Sequence, residues 1–265
     1  MENYSKENND VPRISIIVPS FNQGTYIKKT LDSILDQNYP NLEIIVIDGG
    51  STDNTISVLK SYREKLKWVS EKDNGQTEAI NKGIRLTSGE IFGYINSDDF
   101  MLPGSLWVVA NSFVKGVLWV TGDYIIVNEN GQSIQKYIVL YKRFLRFFSS
   151  RFIFNIANFV AQPSTFWKRE ILDNIGYFDE QLRYAMDYDF LMRSFYVLPK
   201  IIHYPLSAFR IHKYSKGGSQ FYEQFKEEMK VLRKYVSNPT IIFLHEMHNK
   251  LIIFFYKLIK KLYCG

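Results

Sequence analysis

The sequence predicts an α/β fold in which a mostly parallel central sheet is flanked by helices and followed by a helical C-terminal extension. Three observations predict it. Short β-branched runs alternate with amphipathic stretches over residues 13–99. Each run ends in a polar or acidic loop, and from Phe221 onward helical patterning dominates to the last residue. Alternating strands and helices give parallel sheets with right-handed crossovers, and such sheets bind ligands beyond the carboxyl ends of their strands.

Residues 1–12 are polar and read as a disordered arm ahead of a main domain over 13–220, whose halves divide near residue 103. Ile14-Ser15-Ile16-Ile17-Val18-Pro19 is a buried strand closed by proline, which cannot donate to a ladder. Between Tyr26 and Leu35, the spacing of Ile27, Leu31, Ile34 and Leu35 marks one face of a helix. Glu43–Asp48 forms the second strand, a helix runs through Val58-Leu59, and Trp68–Ser70 forms the third strand. Gln76–Arg85 is helical with Ala79, Ile80 and Ile84 inward, and Ile91–Ile95 is a strand running straight into Asn96-Ser97-Asp98-Asp99. In the second half, Trp119–Val127 is strand material and Asn128-Glu129-Asn130-Gly131 is a turn. Residues 164–173 and 187–196 read as helices, and Ile201–Tyr204 and Ala208–Ile211 as two short strands.

The formal charge of +6 suits an anionic partner, either a phosphate-bearing substrate or an acidic membrane face. Nucleic acid is excluded as a partner, because neither zinc-finger spacing nor an RNA-binding aromatic signature accompanies the charge. The single cysteine, Cys264, can form no internal disulfide, and residues 1–13 lack the apolar centre of a signal peptide. Both point to the cytoplasm.

The chemistry gathers at strand ends. Two adjacent carboxylates, Asp98 and Asp99, raise each other's pKa at a sheet end that offers little solvation. A divalent cation relieves that, and hard oxygen ligands select magnesium, manganese or calcium over zinc, with a shell completed by substrate phosphates. Asp48 ends the second strand, where a carboxylate accepts hydrogen bonds from a ribose hydroxyl or a base N–H, or else caps the Ser51-Thr52-Asp53 turn. The chain has neither G-x-G-x-x-G after its first strand nor a G-x-x-x-x-G-K-[ST] loop, which counts against dehydrogenases and P-loop enzymes.

Taken together, Ile16–Asn22, Ile47–Asp53, Asn74–Gly83 and Asn96–Asp99 resemble family 2 glycosyltransferases in order, spacing and strand-end placement. The resemblance implies a GT-A fold, an inverting mechanism, a nucleotide-diphosphate sugar donor (a UDP-sugar first) and a Mn2+ or Mg2+ cofactor. Carried over, Pro19, Phe21, Asn22 and Asp48 line the base and ribose, with Asp73, Asn81, Ser97 and Asp98 along the nucleotide. Asp99 is the first choice as metal ligand, with His212 completing the shell. Gly49 departs from the family, which often has an acid there. Asp187 in Met186-Asp187-Tyr188-Asp189 is the implied base, with Asp189 as alternative; helix-start carboxylates favoured by the macrodipole are the structural explanation. Arg210 and Lys213 would offset diphosphate charge, and Gln162 and Trp167 would face the acceptor, Trp167 either stacking on a sugar or packing inside. On this reading residues 13–103 bind the nucleotide and 104–220 the acceptor, a hydroxyl of a cell-surface polysaccharide or lipid-linked precursor. A nucleotidyltransferase of similar fold would need a Gly-rich basic loop after the first strand, which Ser20-Phe21-Asn22-Gln23 is not. A nucleotide-sugar-binding protein without turnover is the remaining alternative.

Two segments bear on membranes. Residues 251–263 set an apolar face beside Lys257, Lys260 and Lys261, too short and charged to span a bilayer but suited to its interface. Residues 143–159 interleave Arg with Phe and Ile in the same way. The expectation is a C-terminal anchor over 221–265 contacting the cytoplasmic face of the inner membrane, with core packing as the other outcome.

Overall fold

The computed structural model describes residues 11–213 and 221–263. The strands are β1 (Ile14–Ser20), β2 (Leu42–Asp48), β3 (Lys67–Ser70), β4 (Ile91–Tyr94), β5 (Phe100–Met101), β6 (Trp119–Val127), β7 (Ser133–Ile134), β8 (Thr165–Lys168) and β9 (Lys200–Arg210). They form one sheet in the order β3-β2-β1-β4-β8-β6-β9-β5, with β7 paired to β6. Strands β1 to β4 are mutually parallel, as alternation over the first half predicts. The second half is mixed: β8 runs antiparallel between β4 and β6, and β9 runs parallel to β6 and antiparallel to β5.

The period of two in β1 splits its side chains between two cores. Ile14, Ile16 and Val18 pack with Ile27, Leu31 and Ile34 of α1 (Ile27–Leu35) on one face. Ile17 packs with Ala79, Ile80 and Ile84 of α3 (Gln76–Leu86) on the other. Each fully buried aliphatic side chain contributes about 1.5–3 kcal/mol, so both faces drive β1 to the centre of the sheet. Gly83 lets α3 close on β1, since a Cβ there would stand 2.4 Å from Ile17 Cγ2. The loops after β1, β2 and β4 therefore emerge side by side at one end of the sheet, and α2 (Thr55–Ser61) and α4 (Ser105–Ser112) complete the flanks.

Three expectations are corrected. Residues 165–168 are strand rather than helix: the run Thr-Phe-Trp favours a pleated surface, Trp167 stacks on Phe92 of β4 at 5.7 Å, and a helix begins only at α7 (Ile171–Ile175). The two short strands expected over 201–211 are one strand, β9, whose register slips past Asp123 of β6 in a bulge. Finally, the expected arm is tied down at its end, since Pro12 O accepts from Tyr39 Oη at 2.7 Å and Val11 O from Asn41 Nδ2 at 3.0 Å. Its residues 1–10, the downstream Tyr214-Ser215 and Cys264 lie outside the described residues.

The basic-aromatic segment folds as α5 (Lys136–Phe147) and α6 (Arg151–Ile156), followed by α8 (Met186–Ser194). Of the C-terminal helices, α9 (Phe221–Tyr235) belongs to the core, with Val231 and Leu232 packed in the cluster that holds Phe190, Leu191 and Phe195. The long α10 (Pro239–Tyr263) docks on α6 through buried His245, whose Nδ1 lies 2.9 Å from Asn155 O. Among the described residues no helix is long and apolar enough to cross a membrane.

Candidate active site

The acidic loop after β4 divides its two carboxylates between different tasks. Asp99 is fully buried: Oδ1 accepts from Arg210 N at 2.8 Å and Oδ2 from Asn96 Nδ2 at 3.3 Å. Burial, and then the neighbouring Asp98, hold its pKa well above the usual carboxylate range. Asp98 instead reaches the surface, 18% exposed, with Oδ2 2.9 Å from Nε2 of His212. In this structure Asp99 braces the loop against β9, and Asp98 is the carboxylate that faces outward beside His212. Among the described residues no three His, Cys, Asp or Glu converge on one point. Magnesium and manganese sites are commonly of this kind, with few protein ligands and a shell completed by phosphate oxygens and water.

Around this pair, the Arg210 guanidinium lies over the rings of Tyr26 at 4.9 Å and Phe100 at 5.4 Å, and Tyr26 packs on His212 at 4.5 Å. Arg210 is thus a buried cation one strand-end from Asp98, where negative charge on a ligand would be offset. Exposed Lys213 follows, its backbone N–H donating to Glu129. Ser97 is buried, and its carbonyl accepts from Thr30 Oγ1 at 2.9 Å.

The nucleotide end is assembled by cross-loop bonds. Asn22, at φ +53°, accepts from Thr52 N at 2.8 Å and donates its own N–H to Ser51 Oγ, locking the β1 and β2 loops together. Phe21 stands 58% exposed beside it, and buried Ser20 Oγ has no partner. Pro19 lies inside β1, paired with Ile47. Asp48 caps its own turn, one of the two roles expected of it. It is wholly buried, and it accepts from Gly50 N, Ser51 N, Ser51 Oγ and Ser70 Oγ, so it pins the loop from beneath. Asp73 takes the outer position: a Cβ on Gly49 would stand 2.9 Å from both its carboxylate oxygens. The acid that Gly49 lacks is thus supplied by Asp73, whose pKa is raised by burial although Gly75 N donates to it. The Asn81 amide donates to Phe178 O and Glu180 and accepts from Phe178 N, which ties α3 to the 178–180 loop.

A cavity of about 820 Å³ opens at the same end of the sheet, with Asn96, Gln76, Gln162 and Asp187 on its polar wall and Tyr94 between them. Gln162 is held by Nε2 donating to Tyr94 O at 2.8 Å. Asp187 sits in the first turn of α8, half-buried and lining the cavity, its Oδ1 accepting from Tyr188 N at 2.8 Å. Desolvation raises its pKa, while the backbone N–H groups of Tyr188 and Asp187 and the Lys142 charge pull it back. Asp189, the alternative base, is fully buried and bound by Arg193 at 2.7 Å and Tyr235 Oη at 2.7 Å, a structural role. Trp167 lies in the core against Phe92, Phe178 and Phe190, and does not face the cavity.

Sequence reasoning missed the residues that set up Asp187. Glu227 of α9 accepts from Arg183 N, Tyr184 N and Ala185 N at 2.5–3.2 Å, capping the start of α8 from another helix. Glu228 and Lys142 line the cavity beside Asp187. Burial, and then Asp187, push Glu228 up to about 8, and burial, and then Arg146, bring Lys142 down to about 8. No signal local to α8 points to them, because they arrive from α9 and α5.

Comparison with known proteins agrees with this geometry. The profile of the family described as glycosyl transferase family 2 matches residues 15–176. An uncharacterized glycosyltransferase of Rickettsia typhi is 30% identical over 69% of this chain and 59% of its own length. A GalNAc(5)-diNAcBac-PP-undecaprenol β-1,3-glucosyltransferase of Campylobacter jejuni is 27% identical over 64% of this chain and 56% of its own. The chain thus spans less than two thirds of these relatives. Among solved structures, S. aureus TarS 1-349 in complex with UDP-GlcNAc superposes with TM-score 0.65 at 20% identity, covering 85% of this chain and 67% of that one. The mannosyltransferase PcManGT from Pyrobaculum calidifontis, in complex with GDP-Man and Mn2+, has TM-score 0.65 at 22% identity and covers 92% of this chain and 70% of its own. Both carry the same fold, the GT-A α/β arrangement.

Proposed function

This chain belongs to glycosyl transferase family 2, and we propose that it transfers a sugar, with inversion, from a UDP-sugar to a hydroxyl of a cell-surface polysaccharide or lipid-linked oligosaccharide precursor. The reading rests on one observation: Asp187, a carboxylate with raised pKa, shares a cavity with Asn96 of the Asp98 loop at the carboxyl end of the parallel strands. UDP-GlcNAc and GDP-Man in the two structural neighbours support a nucleotide-sugar donor.

The donor would lie across the β1, β2 and β4 loops, its base against Phe21 and Asp73 and its diphosphate toward Asp98, His212 and Arg210. Mn2+ or Mg2+ held by Asp98 and His212 would neutralise charge on the leaving diphosphate, a role supported by the Mn2+ in PcManGT. Asp187 takes the proton of the acceptor hydroxyl as that oxygen forms its bond to the anomeric carbon. The bond to the diphosphate oxygen breaks on the opposite face, and the electron pair leaves with the nucleotide. Gln162 orients the acceptor from the cavity wall, and the work is done at the cytoplasmic face of the membrane.

The test is a thermal-shift screen of nucleotide sugars with and without manganese, followed by turnover of the best donor. Stabilisation by a UDP-sugar that increases with manganese is expected. Stabilisation by nucleoside triphosphates alone would overturn the reading in favour of nucleotidyl transfer.

A further inference from the structure

We propose that α5, α6 and α10 form a docking face for an anionic lipid bilayer, which sets the mouth of the Asp187 cavity at the lipid surface. Large apolar side chains stand exposed along one stripe of α5, with Leu140, Phe144 (64%) and Phe147 (77%) at helical spacing, continued by Phe152 of α6. On α10, Phe243 and Leu251 do the same two turns apart. The helices abut, since α10 packs on α6 and His248 of α10 stacks on Tyr141 of α5 at 6.0 Å. An apolar surface carried on three adjoining helices is larger than scattered single hydrophobes and marks an interaction site.

Charge selects the occupant. Residues 130–169 contain no Asp or Glu, while Lys136, Lys142, Arg143, Arg146 and Arg151 fall on or beside α5 and α6. Residues 247–265 are likewise free of acid and carry Lys250, Lys257, Lys260 and Lys261. Arg146 and, in part, Arg143 are committed to Asp123, but Lys136 and Arg151 stand exposed next to the aromatic stripe. Aromatics interleaved with cations, with a single acid on the three helices, Glu246, already paired with Lys250 at 2.7 Å, fit a headgroup layer of negative charge, where rings enter the acyl boundary and cations meet phosphates. A protein partner with an acidic rim would explain the cations, yet it would not call for so many rings directed outward.

The face also borders the cavity. Tyr141 and Leu251 are exposed on it and line the cavity as well, and Ile138 and Ile252 continue the apolar wall inward. A lipid-anchored acceptor could therefore present its sugar to Asp187 without leaving the bilayer, a step that rests on the proposed function, whereas docking itself does not.

Flotation of the full chain with vesicles of phosphatidylcholine, alone or mixed with phosphatidylglycerol, tests the docking. Co-flotation with the anionic vesicles, weakened by salt, is expected. The double variant Phe144→Glu/Phe147→Glu should reduce the bound fraction by about tenfold or more, with melting temperature and UDP-sugar binding unchanged. No flotation on anionic vesicles, or equal flotation of the variant, overturns the proposal. So does a dimer in light scattering that the variant abolishes while vesicles stay unbound, which would make the face an interface between copies. Vesicle binding without UDP-sugar binding would sink the proposed function and leave the docking intact.

Discussion

Replacing Asp187 by Asn separates a catalytic carboxylate from a structural one. The carboxylate accepts from the Tyr188 N–H and its own backbone N–H, and an Asn carbonyl keeps such bonds and the shape of the turn. Glu227 holds the lead-in to α8 through Tyr184 N and Ala185 N, contacts that the variant leaves in place. What the variant loses is a group able to take a proton. General-base catalysis is worth about 10²–10⁴-fold, or about 3–5 kcal/mol of transition-state stabilisation, so kcat should fall by that factor while donor affinity holds. Stability should move the other way. Desolvation raises the folded-state pKa of Asp187 above the ordinary carboxylate value of 3.8, so its contribution is full below 3.8 and is lost as pH rises through the folded value. At neutral pH the wild type carries a desolvated charge that Asn removes, and the variant should melt higher. In the wild type, activity should fall as pH drops through that same raised pKa, an acid limb above the ordinary carboxylate range. UDP release gives kcat, UDP-sugar titration gives affinity, and calorimetry gives the melting temperature. Turnover within about tenfold of wild type would refute the base, and a variant that no longer binds UDP-sugar would show Asp187 to be structural.

Four further predictions rest on other contacts. His212→Ala and Asp98→Ala should each raise the manganese concentration needed for half-maximal turnover. Asp99→Ala should instead lower stability by about 1–3 kcal/mol for each donor it strands, Arg210 N and the Asn96 amide, read by urea denaturation. Glu228 has its pKa raised from 4.5 to about 8, so its contribution is full below 4.5 and fades as pH rises to about 8. Glu228→Gln should therefore gain in melting temperature relative to wild type across that window, and a constant difference would show that Glu228 is already ionised. Asp123→Ala leaves the fully buried Arg146 without its carboxylate partner at 2.5 Å. It should cost about 3–5 kcal/mol in chemical denaturation, whereas a loss below about 1 kcal/mol would mean that Arg146 finds solvent.

The first half was legible because its chemistry is local. β-branched runs, strand-end loops and the Asp98-Asp99 pair lie within a few residues of one another, and parallel pairing brings the loops to one edge without further information. Finer roles were not legible even there. Asp48 and Asp98 both end strands, yet one is enclosed by four donors and the other faces outward beside His212, more than a hundred residues downstream. Which carboxylate is exposed depends on what β9 lays across the loop, and the spacing of acids does not encode that.

The second half was illegible for the same reason on a larger scale. Asp187 could be placed at a helix start, but a carboxylate there is ordinary, favoured by the macrodipole alone. Its distinction comes from burial behind α5 and α9, from a cap contributed by Glu227, and from the neighbours Glu228 and Lys142. Those helices read in sequence as surface amphipaths, because one face of each is basic or exposed. Their other faces close the cavity over Asp187 while α5 and α10 keep aromatic rings directed outward. One set of helices thus raises the base's pKa and carries the proposed lipid contact. The two can be uncoupled by mutation: charges placed at Phe144 and Phe147 should leave the acid limb of turnover on a soluble acceptor where it is, and Glu228→Gln should leave vesicle binding unchanged.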